Sequence, residues 1–300
     1  MAISVYKIKK WMKMLLGNSV FHVNQGEGKS YSLNEVKGYY NDLTEKITRF
    51  GLQDDSVPKS FVDTGEEIYF SIAIFQYGLA AYDLFLQNDD QSMLGKVRAC
   101  ADWAVANQQN DGGWETFAFQ DKEHPYSSMA QGEAVSLLVR AYKAFGDSKY
   151  KVVADKALDF MLRPVEDGGT TVYKDNGIYL HECTHKPCVL NGWIFSAWGL
   201  LDYAKAFNDD KILKVWDDTV RTMAVSLPDF DNGYWSKYTP IKTIASPFYH
   251  NLHIAQLNVM YKLTDNIVFA EYAKRFEKYQ HCWVCRKRAF LNKAWQKIMD

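Results

Sequence analysis

Val189-Leu190-Asn191-Gly192-Trp193-Ile194-Phe195-Ser196-Ala197-Trp198-Gly199-Leu200-Leu201-Asp202-Tyr203 carries apolar residues at helical spacing through Trp198, Leu201 and Tyr203. The segment just before it, Tyr179 to Cys188, holds two imidazoles, two thiols, a carboxylate and a lysine. Reactive groups therefore sit at a helix entrance, where free backbone N–H groups attract anions. The pattern repeats outward from this segment. Helical periodicity predicts helices over 66–88, 92–109, 126–145, 148–163, 188–207, 209–226, 247–263 and 266–280. Between them lie turns such as Asn110-Asp111-Gly112-Gly113, Asp167-Gly168-Gly169 and Asp231-Asn232-Gly233. The helices pair as hairpins. Their apolar stripes, as in Ile72, Ile74, Phe75, Tyr77, Leu79 and Tyr82, occupy more than one side. An inner ring inside an outer ring satisfies that pattern, so the fold class expected is all-α, an (α/α) barrel or toroid of helical hairpins whose loops line a cleft. Thr170–Tyr173 and Ile178–Leu180 flank Asp175-Asn176-Gly177 and read as a small β-hairpin. Residues 1–64 read as an N-terminal helix and irregular wrap, and 65–300 as the barrel.

With 300 residues, 47% of them hydrophobic, the chain has ample material for a core. A net charge of −1 provides no basic field for nucleic acid, which is therefore not expected as a partner. Five cysteines, an odd number, argue against a secreted disulfide scaffold and for free thiols in a reducing, cytoplasmic setting. Met1–Gly17 mixes Lys7, Lys9, Lys10 and Lys13 with Val5, Ile8, Trp11, Leu15 and Leu16. It lacks the uninterrupted apolar run of a signal peptide, and a helix docked on the domain is favoured over one touching an anionic membrane. A homodimer is compatible with the sequence.

Four clusters carry chemistry. In the first, His181, Glu182, Cys183, His185 and Cys188 are competent zinc donors, but their spacing fits no common zinc pattern, and no metal is expected. With Lys186 and Pro187 the loop reads better as an anion-binding entrance, with Glu182 either a general acid or base or a capping residue. In the second, Tyr249, His250 and His253 open a helix, where a phenol can exchange a proton or a Tyr/His pair can simply be buried. The third, Tyr126 to Glu133, contains Gln131 and a Gly132 that permits close backbone approach. The fourth, Gly233 to Tyr238, offers aromatics able to stack on a sugar. Cys282-Trp283-Val284-Cys285 is a lone CxxC without a second pair nearby and reads as helix surface and core, its Arg286-Lys287-Arg288 run as solvated. Nucleotide-loop, GxSxG and HExxH motifs do not occur.

Five stretches in order resemble the C-terminal domain of the D-glucuronyl C5-epimerases: Gln76-Tyr77-Gly78-Leu79 with Tyr82, Asn107-Gln108 through Gly112-Gly113-Trp114, Tyr126 through Gly132, Val189-Leu190-Asn191-Gly192 through Gly199-Leu200, and Tyr249-His250 through His253 with Gln256-Leu257. The resemblance runs from about residue 63 to 280. It implies an (α/α) barrel, no cofactor, a uronic-acid-containing glycan as partner, and inversion at C5 by removal and return of a proton. It implies Glu182, Tyr249 and Tyr238 as the catalytic set. Tyr126, Gln131, His185, Lys186, Asn191, His250 and His253 are then expected to bind substrate. Cys183 stands where animal members carry a tyrosine. The same carbanion can expel the group at C4, a lyase reaction, and (α/α) barrels also host glycosidases, for which Glu133 and Asp231 are second acids. A non-catalytic glycan-binding protein is the third class.

Overall fold

In the computed structural model, residues 22–62, 65–175, 177–241 and 243–299 are described. The expected N-terminal helix over residues 1–17, with its membrane contact, lies outside them. The chain divides into two compact units, one of residues 28–223 and one combining the N-terminal segment up to Glu27 with Ala224 onward. Among the described residues no helix is long and apolar enough to cross a membrane.

The unit 28–223 contains α1 (Glu45–Phe50), a two-residue pairing of β1 (Ser60–Phe61) with β2 (Glu67–Ile68), α2 (Ser71–Asn88), α3 (Met93–Asn107), α4 (Ser128–Phe145), α5 (Ser148–Leu162), the hairpin β3 (Thr171–Lys174) and β4 (Gly177–Leu180), α6 (Leu190–Phe207) and most of α7 (Asp210–Ser226). The helices expected between residues 66 and 280 and the β3–β4 hairpin are found. The helix expected from residue 66 begins at Ser71, because Glu67 and Ile68 pair with β1 and Phe70 is extended. Helix ends fall where Asp89, Asn208 and Gly146 adopt the left-handed conformation that stops a helix.

Two kinds of helix alternate. In α2, α4 and α6, every residue of 71–83, 128–141 and 190–204 is buried. In α3 only Lys96, Val97, Cys100, Ala101 and Ala104 are buried, a single stripe, and α5 is likewise one-sided through Tyr150, Val153, Ala154, Ala157, Leu158 and Met161. The enclosed helices pack side by side, α2 on α4 and α4 on α6, with α3 and α5 behind them. This is the inner and outer layering of an (α/α) hairpin fold, in an all-α chain with two minor β pairings.

The α4–α6 seam is backbone on backbone. A Cβ on Gly132 would stand 2.5 Å from the Ser196 Cα, and one on Gly199 would meet the Gly132 carbonyl oxygen at 2.5 Å. Ser196 Oγ donates to the Gly192 carbonyl at 2.7 Å and lies 2.8 Å from Ser128 Oγ. Farther along, Arg140 of α4 meets Asp202 of α6 at 2.6 Å, both side chains fully buried. The contact order, 128 and 132 with 196 and then 140 with 202, makes the helices parallel, with both N-termini at one end.

The Arg140–Asp202 pair also collects the segment before α1. Arg140 donates to the carbonyls of Lys37 and Gly38, each at 2.9 Å, and Tyr40 donates its hydroxyl to Asp202 at 3.0 Å. Tyr39 and Tyr40 then pack on Phe195 and Trp198. Within the stretch expected as an irregular wrap, Val36, Tyr39, Tyr40 and Leu43 are buried.

The other unit contains a 3₁₀ turn (Leu227–Phe230), α8 (Pro247–Thr264), α9 (Ile267–His281) and α10 (Trp283–Met299). α8 and α9 form a hairpin, and α10 packs on α9. Tyr234, Trp235, Ile244, Ala245 and Ala289 make a small cluster there, backed by Tyr249, Tyr279 and Cys285.

Removing one partner of a buried pair strands the other charge. Asp202→Ala is expected to lower the unfolding free energy by roughly 3–5 kcal/mol in urea titration. Gly199→Ala, which overpacks the seam, is expected to cost about 1–3 kcal/mol.

Candidate active site

Glu182 lies in the loop between β4 and α6, and its backbone neighbours tie it to both helix ends. The Ser128 N–H, at the start of α4, donates to the His181 carbonyl at 3.0 Å, and the His181 N–H donates to Thr170 at 2.9 Å. The buried Glu182 side chain rests on the first turn of α6. A Cβ on Gly192 would collide with its Oε2, and would stand 2.8 Å from its Cβ and 3.0 Å from its Cδ. Gly192 is therefore what lets the carboxylate lie against the helix entrance. Two positive helix ends, those of α4 and α6, converge where Glu182 sits.

A second carboxylate lies behind it. Glu133 of α4 is fully buried and accepts a hydrogen bond from Gln76 Nε2 at 2.7 Å. Burial pushes it up to about 8; Lys46 and the Gln76 bond oppose the rise, and the charge of Glu182 adds to it. Lys46 is pulled down to about 8 by its own burial. Gln131 and Asn191 are buried beside the same helix starts, and both amide atoms of Gln131 lack a hydrogen-bond partner among the described residues. Tyr126 donates to Asp111 at 3.0 Å and packs on Phe160, and burial lifts its phenol to about 12. Cys183, in the position of the animal tyrosine, is pushed up to about 12 by burial, with Glu182 adding; it stays a neutral thiol.

His185 joins partners that sequence spacing did not reveal. Its ring stacks on His124 with centroids 4.4 Å apart, and its Nε2 lies 3.5 Å from Asp121 Oδ2. Asp121 is oriented by the N–H groups of Glu123 and His124, each at 3.1 Å. The three donor atoms lie within 4.8 Å of one another, a set that could hold a divalent cation. The neighbouring Lys186 is exposed.

In the other unit, Tyr249 opens α8, whose start is capped by Ser246. Its hydroxyl lies 3.2 Å from His22 Nε2, and its ring 4.8 Å from that of Tyr238. Of the three residues expected as one catalytic set, Tyr249 and Tyr238 belong to this unit and Glu182 to the unit 28–223. His22 has no motif around it and stands 227 residues from Tyr249 in sequence, so nothing in the chain announced it.

His250 and His253 correct the sequence reading. His250 Nε2 lies 3.0 Å from the Phe276 carbonyl, so it must carry the proton, and Nδ1 accepts from the Ser236 hydroxyl at 2.8 Å. Ser236 Oγ then accepts from His253 Nδ1 at 3.0 Å. Both imidazoles are fully buried, and burial lowers both to about 3, so they are neutral at physiological pH. They form a hydrogen-bonded relay with Ser236 within the protein. Trp235, expected to be available for a sugar, is buried and stacks on His250 at 3.6 Å. Asp231 is held by Arg275 and Tyr279, each at 3.3 Å.

The raised Glu133 has a defined consequence for stability. The folded state holds a proton that the unfolded chain releases near 4.5, so stability is full below 4.5 and falls as pH rises to about 8. Asp83, pushed up to about 7 by burial, adds to the same fall. Lys46 acts oppositely, its stabilisation being lost as pH falls from 10.5 to about 8. Thermal melts of Glu133→Gln, which keeps the Gln76 bond, are expected to show a shallower decline between about pH 5 and 8 than the parent.

The family described as D-glucuronyl C5-epimerase C-terminus matches residues 110–278. A D-glucuronyl C5-epimerase of Caenorhabditis elegans is 30% identical over 212 residues, 61% of this chain and 34% of that protein. An uncharacterised protein of Methanocaldococcus jannaschii is 26% identical over 157 residues, 50% of this chain and 51% of that one. The chain thus spans between a third and a half of these relatives. The solved structure of an unsaturated glucuronyl hydrolase from Bacillus sp. GL1 aligns with TM-score 0.47 and 14% identity, covering 69% of this chain and 61% of that one. The match over 110–278 takes in Glu182, Gly192 and Tyr249 together, and the chain belongs to the D-glucuronyl C5-epimerase C-terminal family.

Proposed function

We propose that the protein is a uronate C5-epimerase acting on glucuronate residues of a polysaccharide or glycan precursor, with iduronate as product. The observation that carries this reading is the buried Glu182 carboxylate seated on Gly192 at the convergence of two helix N-termini, in a chain of this family. The C5 proton is hard to remove because the carbanion forms beside a carboxylate that is already charged. The positive ends of α4 and α6, with Lys186, suit an anion and would neutralise the sugar carboxylate as charge moves onto it. One of Glu182 and Tyr249 takes the proton from C5, and the other returns a proton to the opposite face of the ring. The C5–H bond breaks and a new one forms with inverted configuration, no electrons are gained or lost, and no redox cofactor enters the balance.

The surroundings of Tyr249 support its part. His22, 3.2 Å from the hydroxyl, is a partner through which a phenol can lose or regain a proton, and Tyr238 packs on the same ring. Gln131, Asn191, Tyr126, His185 and Lys186 remain the substrate-binding set. Five free cysteines support a reducing, cytoplasmic location.

Incubation with glucuronate oligosaccharides in deuterated water tests the reading. NMR is expected to show deuterium at C5 with the wild type, and a loss of about 10²-fold or more in exchange rate with Glu182→Gln and with Tyr249→Phe. An unsaturated uronate in place of exchange would make the enzyme a lyase, and no exchange on any uronate glycan would remove the epimerase reading.

A further inference from the structure

α10 is unlike the other helices. Its inner side is fully accounted for: Ala289 is buried in the cluster of Tyr234, Trp235 and Ile244, Asn292 donates to the Tyr234 hydroxyl at 2.8 Å, and Gln296 Oε1 accepts the Ile244 N–H at 3.3 Å. Its outer side is apolar and open to solvent. Trp283 is 65% exposed, Val284 63%, Phe290 46%, Leu291 67% and Trp295 65%. These are five of the fourteen large hydrophobic residues exposed among the described residues, gathered on one helix of 17 residues. Trp283, Leu291 and Trp295 fall with Lys287 on a four-residue spacing, hence on one stripe. Arg286 and Lys287 flank that stripe, Arg288 lies over the Tyr234 ring at 4.1 Å, Lys293 donates to the Ile244 carbonyl at 2.7 Å, and no acidic residue occurs from Cys282 to Met299. Lys287 Nζ sits 3.8 Å from the Trp283 ring centroid, its stem lying along apolar surface.

We propose that α10 is an interfacial helix that docks the protein on an anionic lipid bilayer. Exposed tryptophans and aliphatics set beside cations are the composition of a helix lying in the headgroup plane, where indole rings occupy the interface and Lys and Arg are drawn to an anionic surface. Seventeen residues extend only about 25 Å, and the charges prevent spanning. Charge complementarity selects this occupant over the others. A second copy would bring like-charged stripes together in a two-fold contact. A polyanion would satisfy the cations but leave Val284 and Leu291 in water. The proposal rests on α10 alone and is independent of the reaction catalysed. It gives the solvent-exposed Arg286-Lys287-Arg288 run a role beyond solvation.

The test is co-sedimentation of the full chain with phosphatidylglycerol/phosphatidylcholine vesicles and with pure phosphatidylcholine vesicles, at low and high salt. Binding is expected to the anionic vesicles, weakened by salt and by removal of phosphatidylglycerol, with a blue shift of tryptophan emission. Trp283→Ser/Leu291→Ser/Trp295→Ser and, separately, Arg286→Glu/Lys287→Glu/Arg288→Glu are each expected to weaken partition by about tenfold or more. Both alter solvent-facing positions, and circular dichroism confirms retained helix. Three results overturn the proposal: no association of the wild type with anionic vesicles, association that both variants leave unchanged, or a wild-type dimer that the apolar variant dissociates, which assigns the face to a second copy.

Discussion

The contact on which the unit 28–223 depends is the backbone seam between α4 and α6. Gly132, Ser196 and Gly199 allow two fully enclosed helices to touch without intervening side chains. Packing that close is tolerated only by the smallest residues. Everything at the two ends of the seam follows from it. At one end the N-termini of α4 and α6 come level, Gly192 receives Glu182, and the His181 carbonyl caps Ser128. At the other end Arg140 reaches Asp202, and through them the backbone of Lys37 and Gly38 is held.

Electrostatics divides this unit into two regimes. Arg140 and Asp202 are paired at 2.6 Å and hydrogen-bonded, so they act as a joint. Glu133 is buried with an amide partner, and the opposing Lys46 is itself weakened by burial, so burial dominates and its proton stays on to about 8. A neutral Glu133 keeps a second full negative charge away from Glu182. The other unit uses the same economy of charge: Ser236 links two neutral imidazoles in a fixed donor–acceptor order, and His250 is clamped under Trp235.

The helices were legible because periodicity and punctuation agree. The 3.6-residue pattern and the Asp, Asn and Gly stops place α2 to α9 within a few residues, and apolar residues on several sides of α2 and α6 foretell enclosure. Tyr39 and Tyr40 were not legible, because nothing periodic marks a segment whose place is set by Arg140, about 100 residues away. His250 and His253 were misread for a related reason. Spacing puts two residues on one helix face but does not say whether that face meets a ligand or a serine from another loop. Glu182 was legible as a carboxylate at a helix entrance; that Gly192 makes its seat required the coordinates. Asp121 and His124 approach His185 only through the fold.

The central claim is that the helix-end setting of Glu182 is the seat of C5 proton chemistry. A crystal structure of Glu182→Gln soaked with a glucuronate-containing oligosaccharide tests it most directly. The sugar carboxylate is expected at the N-termini of α4 and α6, with C5 about 3–3.5 Å from the side chain at position 182. A uronate bound elsewhere, or one whose C5 faces away from that side chain, would contradict it.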